Sequence, residues 1–204
     1  YFTTEYGSGF EGIDKPWEEN RGMGHSFGFN RNEDYTQYNS TRKLVFMLVD
    51  LVSRGGNLLL NIGPTGDGRI PVVMQNRLID MGKWLEVNGE AIYDTVVWKK
   101  ACQWSEGTLP KFTASDFKSG FPIYEMTLEP KPGNAHKELY FTKKADTIYG
   151  LLPVWPDSGK IEIRDIEVSS DTKVTMLGVD GELKFAKTPT GIEVILPQLN
   201  PTKL

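Results

Sequence analysis

The run Asn57-Leu58-Leu59-Leu60-Asn61-Ile62-Gly63 limits the possible folds more than any other stretch of this chain. It is short, almost continuously apolar and bounded by glycines, which is how a strand buried on both faces of a parallel sheet reads. Its flanks have a different period. From Ser40 to Arg54, Leu44, Leu48, Leu51 and Val52 recur at i, i+4, i+7 and i+8, and Val45 and Val49 widen the stripe. Asn39 or Ser40 is placed to cap that helix, and Gly55-Gly56 to end it. After a turn over Pro64 to Gly68, Pro71 suits a first helical position. Met74, Leu78, Met81 and Leu85 then line one face of a second helix ending at Asn88-Gly89. Helix, buried strand, helix predicts an α/β layer.

Beyond about Trp98 the pattern changes. Short alternating segments recur at Tyr124 to Leu128, Glu138 to Phe141, Thr147 to Leu151, Lys160 to Ile166, Lys173 to Leu177, Glu182 to Phe185 and Ile192 to Leu196. Glycine, proline and aspartate separate them at the spacing of an antiparallel β-sandwich. The expected fold class is α/β plus all-β, with residues 1–94 in the first domain and 95–204 in the second. Residues 1 to 39, rich in glycine, aromatics and charge, read as long loops of the functional kind.

Composition narrows the partners. The net charge of −4 and the absence of a basic stripe argue against nucleic acid. No apolar run approaches the ~20 residues that cross a bilayer, so no membrane partner is expected. Two histidines and one cysteine, Cys102, leave no metal-ligand spacing and no intrachain disulfide, and no cofactor is expected. The opening Tyr1-Phe2-Thr3-Thr4-Glu5-Tyr6 is neither a signal peptide nor an initiator methionine, so the chain reads as a piece of something longer.

The chemistry concentrates in Pro16-Trp17-Glu18 and Ser26-Phe27-Gly28-Phe29-Asn30, where carboxylates meet aromatic rings. Carboxyl groups supply the acid and base that cleave a glycosidic bond, and flat rings stack on the apolar face of a sugar. Other motifs match only formally. Gly24-His25-Ser26-Phe27-Gly28 fits the G-x-S-x-G elbow of serine esterases, with His136 as the distant base, but its flanks lack the apolar strand and helix that force the serine onto a sharp turn. Gly7-Ser8-Gly9-Phe10-Glu11-Gly12 fits G-x-G-x-x-G without the helix a dinucleotide site needs. Gly63 to Gly68 lacks the ending of a phosphate loop and reads as a turn. Asn39-Ser40-Thr41 is a sequon whose more economical role is the helix cap.

Four motifs in order over about 80 residues resemble the α-L-fucosidases of glycoside hydrolase family 29. They are Pro16-Trp17-Glu18; Ser26 to Arg31; Gly55 to Gly68, which contains the buried-strand run; and Gly82-Lys83-Trp84-Leu85-Glu86-Val87-Asn88-Gly89-Glu90-Ala91-Ile92-Tyr93. Fainter matches lie at Val174 to Gly178 and Ile195 to Leu199. The resemblance implies that residues 1–94 close a (β/α)8-like (TIM) barrel and that 95–204 form the C-terminal β-sandwich. It implies a retaining exo-glycosidase in which an aspartate attacks the anomeric carbon while a second carboxyl protonates the leaving oxygen. That aspartate lies upstream of this segment, so the isolated 204 residues are expected to be inactive.

For the acid/base, the resemblance favours Glu5, in a loop where a barrel strand has just ended, with Glu18 as the alternative or as a bracing group. Phe27 is similar in position to the aromatic that packs on fucose, Trp17 is placed near the same site, and His25 is a weaker candidate for a sugar hydroxyl. Trp84 and Tyr93 are expected between barrel and sandwich. The implied partners are a fucosylated oligosaccharide or glycoconjugate and the remainder of the barrel polypeptide; a homo-oligomer is left open. The implied location is outside the cytoplasm, in a periplasm, a lysosome or secretion. Two other classes compete: a carbohydrate-binding module using Trp98, Trp104 or Trp155, and the serine esterase.

Overall fold

The computed structural model describes residues 1–7, 10, 15–110 and 124–199. The chain divides into two units, Tyr1–Pro153 and Val154–Leu204.

The first unit opens with a parallel sheet of β1 (Phe2–Glu5), β2 (Trp17–Gly22) and β3 (Gly56–Asn61), in that spatial order. Between β2 and β3 runs α1 (Thr41–Ser53), and after β3 comes α2 (Val72–Asn88). The expected helix–strand–helix order is present, with Ser40 as the cap of α1, its hydroxyl accepting from the Lys43 N–H at 3.2 Å. At α2 the proline is the cap itself and the helix starts at Val72. Strands β1 and β2 arise where loops were expected. The reason is visible in β2: its buried face is Trp17, Glu19 and Arg21, so a buried ion pair replaces the apolar half of the usual alternation. β3 departs from expectation in the other direction. Leu59 is 48 % exposed, so only one face is covered among the described residues.

α1 explains why that face is covered. Leu44, Val45, Phe46, Met47, Val49 and Leu51 are all buried, on more of the helix surface than one sheet can cover. Part of it packs on β3, and part on an antiparallel sheet of β4 (Cys102–Trp104), β5 (Lys137–Lys144) and β6 (Thr147–Leu151), where Phe46 meets Tyr140 at 6.3 Å between ring centroids. Asp50 of α1 is fully buried and shared by two cations. Arg54 reaches its Oδ2 through Nε at 2.9 Å and Nη2 at 2.6 Å, and Lys137 of β5 reaches its Oδ1. Burial pushes the Asp50 carboxyl up, but the charges of Lys137 and Arg54 and their hydrogen bonds outweigh it and hold it below the usual carboxylate range.

The second unit holds β7 (Lys160–Arg164), β8 (Thr175–Met176), β9 (Val179–Glu182), β10 (Phe185–Lys187) and β11 (Gly191–Ile195). β11 lies between β10 and β7 in an antiparallel sheet and buries Ile192 and Val194, two residues apart; β8 and β9 form a separate hairpin. Lys173 to Leu177 and Glu182 to Phe185, expected as full strands, yield only the short β8, β9 and β10, with the left-handed Gly178 between β8 and β9 and the left-handed Gly181 inside β9. In the first unit, the segment Tyr124 to Leu128, also expected as a strand, is a single π-type turn that buries Met126, Thr127 and Leu128. Parallel pairing gives way to antiparallel pairing between α2 and β4, whereas the division into units falls after β6. The described residues are mixed α/β in content, with most of their elements strands.

Candidate active site

The register of the parallel sheet sorts the candidates by face. Glu5 pairs with Asn20 and Asn20 with Leu59; one step deeper, Thr3 pairs with Glu18 and Glu18 with Asn57. Successive side chains alternate across a strand, so Thr3, Glu5, Glu18, Asn20, Asn57, Leu59 and Asn61 share the open face. Phe2, Thr4, Trp17, Glu19, Arg21, Gly56, Leu58 and Leu60 share the face toward α1. Side-chain neighbours agree with that sorting. The Thr4 hydroxyl donates to Glu19, Arg21 Nε donates to Glu19 Oε1 at 2.9 Å, and a Cβ on Gly56 would strike the Trp17 ring.

Trp17 and Glu18 are neighbours in sequence and therefore opposite in space. The Trp17 ring is 1 % exposed, edge-on to Phe10 at 5.8 Å, with the Arg54 guanidinium 5.4 Å from its centroid. It is a core side chain in this chain: the two-residue period of the strand puts it on the covered face, opposite Glu18, and not beside Phe27 where it was expected. Glu18 accepts from the Tyr1 hydroxyl at 2.7 Å. It lies two residues, roughly 6.6 Å at strand rise, deeper in the sheet than the level of Glu5.

The loops after the three strands converge at the carboxyl edge. Glu5 ends β1 and its side chain is exposed. Tyr6, directly after it, meets the Phe27 ring edge-on, with centroids 4.8 Å apart and planes at 75°. The Phe27 carbonyl accepts from Asn61 Nδ2 at 2.6 Å, so the end of β3 holds the loop that leaves β2. Gly63 continues that contact, since a Cβ there would run into the Gly28–Phe29 backbone. His25 is exposed, and its backbone N–H donates to Glu33 Oε1. Sequence reasoning passed over Tyr6 and Glu33. No periodicity marks either of them, because their roles depend on which loops meet at one edge.

Two orphaned acceptors lie near this edge. Among the described residues Asn20 Oδ1, level with Glu5, and Glu33 Oε2 are buried without a hydrogen-bond partner. The Tyr6 hydroxyl is pushed above its ordinary value, chiefly by burial, while the Gly22 N–H it accepts pulls it down and nearby Glu33 pushes it up. Among the described residues no three His, Cys, Asp or Glu side chains are placed to hold a metal ion, and no helix is long and apolar enough to cross a membrane.

The competing motifs separate in the same geometry. A strand, β2, does precede Gly24, but the residues from Gly24 to Ser40 contain only a short 3-10 turn, Tyr35–Gln37. Ser26 Oγ accepts from Asn30 Nδ2 at 3.2 Å, while His136 Nδ1 is engaged by Ser105 Oγ at 2.9 Å, so the esterase pair is not assembled. Gly63 to Gly68 is a turn closed by the Gly68 N–H donating to the Thr65 carbonyl at 2.8 Å. The Gly7 to Gly12 motif lies mostly outside the described residues. Of the tryptophans considered for sugar binding, Trp98 packs on Phe141 at 4.9 Å, Trp104 lies 5.6 Å from Lys137 Nζ, and Trp155 is 39 % exposed. Tyr93, expected between two domains, is 57 % exposed.

Comparison with known proteins matches two families to different parts of the chain. The family described as alpha-L-fucosidase matches residues 1–90, and the alpha-L-fucosidase C-terminal domain matches residues 133–204. The tissue alpha-L-fucosidase of Homo sapiens is 34 % identical over 178 residues, covering 87 % of this chain and 32 % of that protein. The alpha-L-fucosidase of Branchiostoma floridae is 36 % identical over 180 residues, covering 88 % of this chain and 33 % of its own length. The chain thus spans about a third of the length of these relatives. Among solved structures, Thermotoga maritima alpha-fucosidase in complex with fucose aligns with a TM-score of 0.69 at 35 % identity, over 91 % of this chain and 37 % of the other.

Proposed function

The chain belongs to the α-L-fucosidase family, and from that premise we propose that it supplies the acid/base half of a glycosidase site that releases terminal α-L-fucose from glycans. Residues 1–94 are the closing segment of a (β/α)8-like barrel and 95–204 the C-terminal β-sandwich region; the rest of the barrel packs against the open face of β1–β3. The exposed Leu59 and the orphaned Asn20 acceptor fit a face completed by other polypeptide or by substrate.

One observation carries the reading. Glu5 stands at the carboxyl end of a parallel strand, and Tyr6 and Asn61 draw Phe27 over the same edge. Parallel α/β barrels place their catalytic groups at that edge. The mechanism is a retaining double displacement. An aspartate from outside this chain attacks the anomeric carbon while the Glu5 carboxyl protonates the departing oxygen. Water then attacks the glycosyl–enzyme ester, giving its proton to the Glu5 carboxylate. Phe27 offers the apolar ring against which the methyl-bearing face of fucose packs. With the nucleophile elsewhere, the 204 residues by themselves turn over no fucoside.

Glu18 is the weaker candidate because it sits deeper in the sheet and already accepts from Tyr1. The two are distinguished by replacing each with alanine in the full-length protein and adding azide. The expected result is that Glu5→Ala alone regains turnover and yields fucosyl azide, since the small anion needs no base. Rescue of Glu18→Ala instead would move the acid/base role to Glu18.

A further inference from the structure

Tyr6 combines strain with over-determined contacts. Its φ is +48°, in the left-handed region that a large L-residue avoids, and it directly follows Glu5. That turn takes the chain out of β1 while the Tyr6 N–H still donates to the Asn20 carbonyl at 3.2 Å. The side chain then lies across the strand ends. Its hydroxyl accepts from the Gly22 N–H at 3.2 Å, its ring edge meets Phe27 at 4.8 Å, and the Arg21 guanidinium is 5.7 Å from the ring centroid. Gly22 leaves the room for this: a Cβ there would sit 2.6 Å from the Tyr6 hydroxyl.

We propose that Tyr6 is a positioning residue that fixes Glu5 relative to Phe27 by clamping the strained turn between them. A strained conformation persists only where its surroundings hold it, and here the end of β2, the loop beyond it and a buried arginine all do so. Without the ring, the backbone after Glu5 relaxes toward ordinary φ and the carboxyl swings away from the leaving oxygen, whereas Asn61 still holds the Phe27 loop. The inference rests on the reading of Glu5 as the acid/base.

Its signature is chemical. A general acid matters in proportion to the basicity of the leaving group. A 4-nitrophenyl fucoside departs nearly unaided, whereas an alkyl fucoside needs the proton. The test measures kcat/KM on both substrates for the full-length protein and its Tyr6→Ala, Tyr6→Phe and Glu5→Ala variants. Tyr6→Ala is expected to lose at least about tenfold more on the alkyl substrate than on the nitrophenyl one, a fraction of the roughly 10²–10⁴-fold a general acid supplies. Tyr6→Phe, which keeps the ring, should hold the ratio of the two rates within about threefold of the parent.

Equal losses on both substrates with Tyr6→Ala overturn the inference if Glu5→Ala is selective. If Glu5→Ala is not selective either, the assignment of Glu5 has failed and the inference falls with it. Should Tyr6→Ala not fold, as judged by its thermal melt, Tyr6→Leu takes its place under the same two outcomes.

Discussion

Replacing Lys137 by methionine would strip one of two cations from a carboxylate that has no access to water. Asp50 keeps Arg54 on Oδ2, with contacts of 2.9 and 2.6 Å, but its Oδ1 loses the partner it has in the native protein. Methionine keeps an unbranched apolar side chain of similar length and loses the ammonium, which also lies 5.6 Å from the Trp104 ring centroid and 5.4 Å from that of Tyr140, so the change is chiefly one of charge. Removing one partner of a buried pair typically costs about 3–5 kcal/mol when the other is left uncompensated. Because Arg54 still neutralises Asp50, the expected loss is about 2–3 kcal/mol. That is roughly a 30- to 150-fold fall in the folding equilibrium constant. Urea unfolding followed by tryptophan fluorescence reads it directly.

The pH dependence follows from the depressed carboxyl. In the native protein Asp50 lies below the ordinary carboxylate value, so its stabilisation is full above the unfolded value of about 3.9 and is lost as pH falls through the lower folded one. In the variant, burial acts against a single cation, and protonation relieves the strain instead. The gap between the two proteins should therefore be largest near neutrality and close on acidification. A gap under about 1 kcal/mol at pH 7, or one unchanged down to pH 3, would refute the reasoning.

Two other substitutions probe the sheet from its two faces. Gly56→Ala drives a methyl into the buried Trp17 ring and should cost about 1–3 kcal/mol in the same unfolding assay, with no gain from any new burial. Phe27→Ala in the full-length protein should lower kcat/KM on fucosides by roughly 10- to 100-fold, the worth of a partly buried ring, and by similar factors on good and poor leaving groups.

How far the fold was legible depended on what each element buries. α1 could be read because leucine and valine fill its buried positions and because serine and glycine mark its ends, and β3 because its leucines form a short run bounded by glycines, although Leu59 proves exposed. β2 could not, since the face it buries carries Glu19 and Arg21, charges that are satisfied only once Thr4 of β1 and the Gly7 carbonyl just beyond it arrive. The same blindness misplaced Trp17: a motif read as a unit, Trp17-Glu18, is split by the pleat into a core ring and an open-face carboxyl. Glu5 and Phe27 are proposed from the resemblance. What links them, a left-handed Tyr6 and the Asn61 side chain, depends on three loops meeting at one edge, and no period or cap in the sequence encodes that. In the second unit the strand from Lys173 was overdrawn because the left-handed Gly178 turns the chain from the short β8 straight into β9.

The most direct measurement is a crystal structure of the full-length protein with α-L-fucose bound. The Phe27 ring is expected in van der Waals contact with the sugar, at about 4 Å, and the Glu5 carboxyl roughly 5–5.5 Å from the nucleophilic carboxylate across the anomeric carbon. A sugar bound away from the carboxyl edge of β1–β3, or Glu18 standing at that separation in place of Glu5, would contradict the assignment.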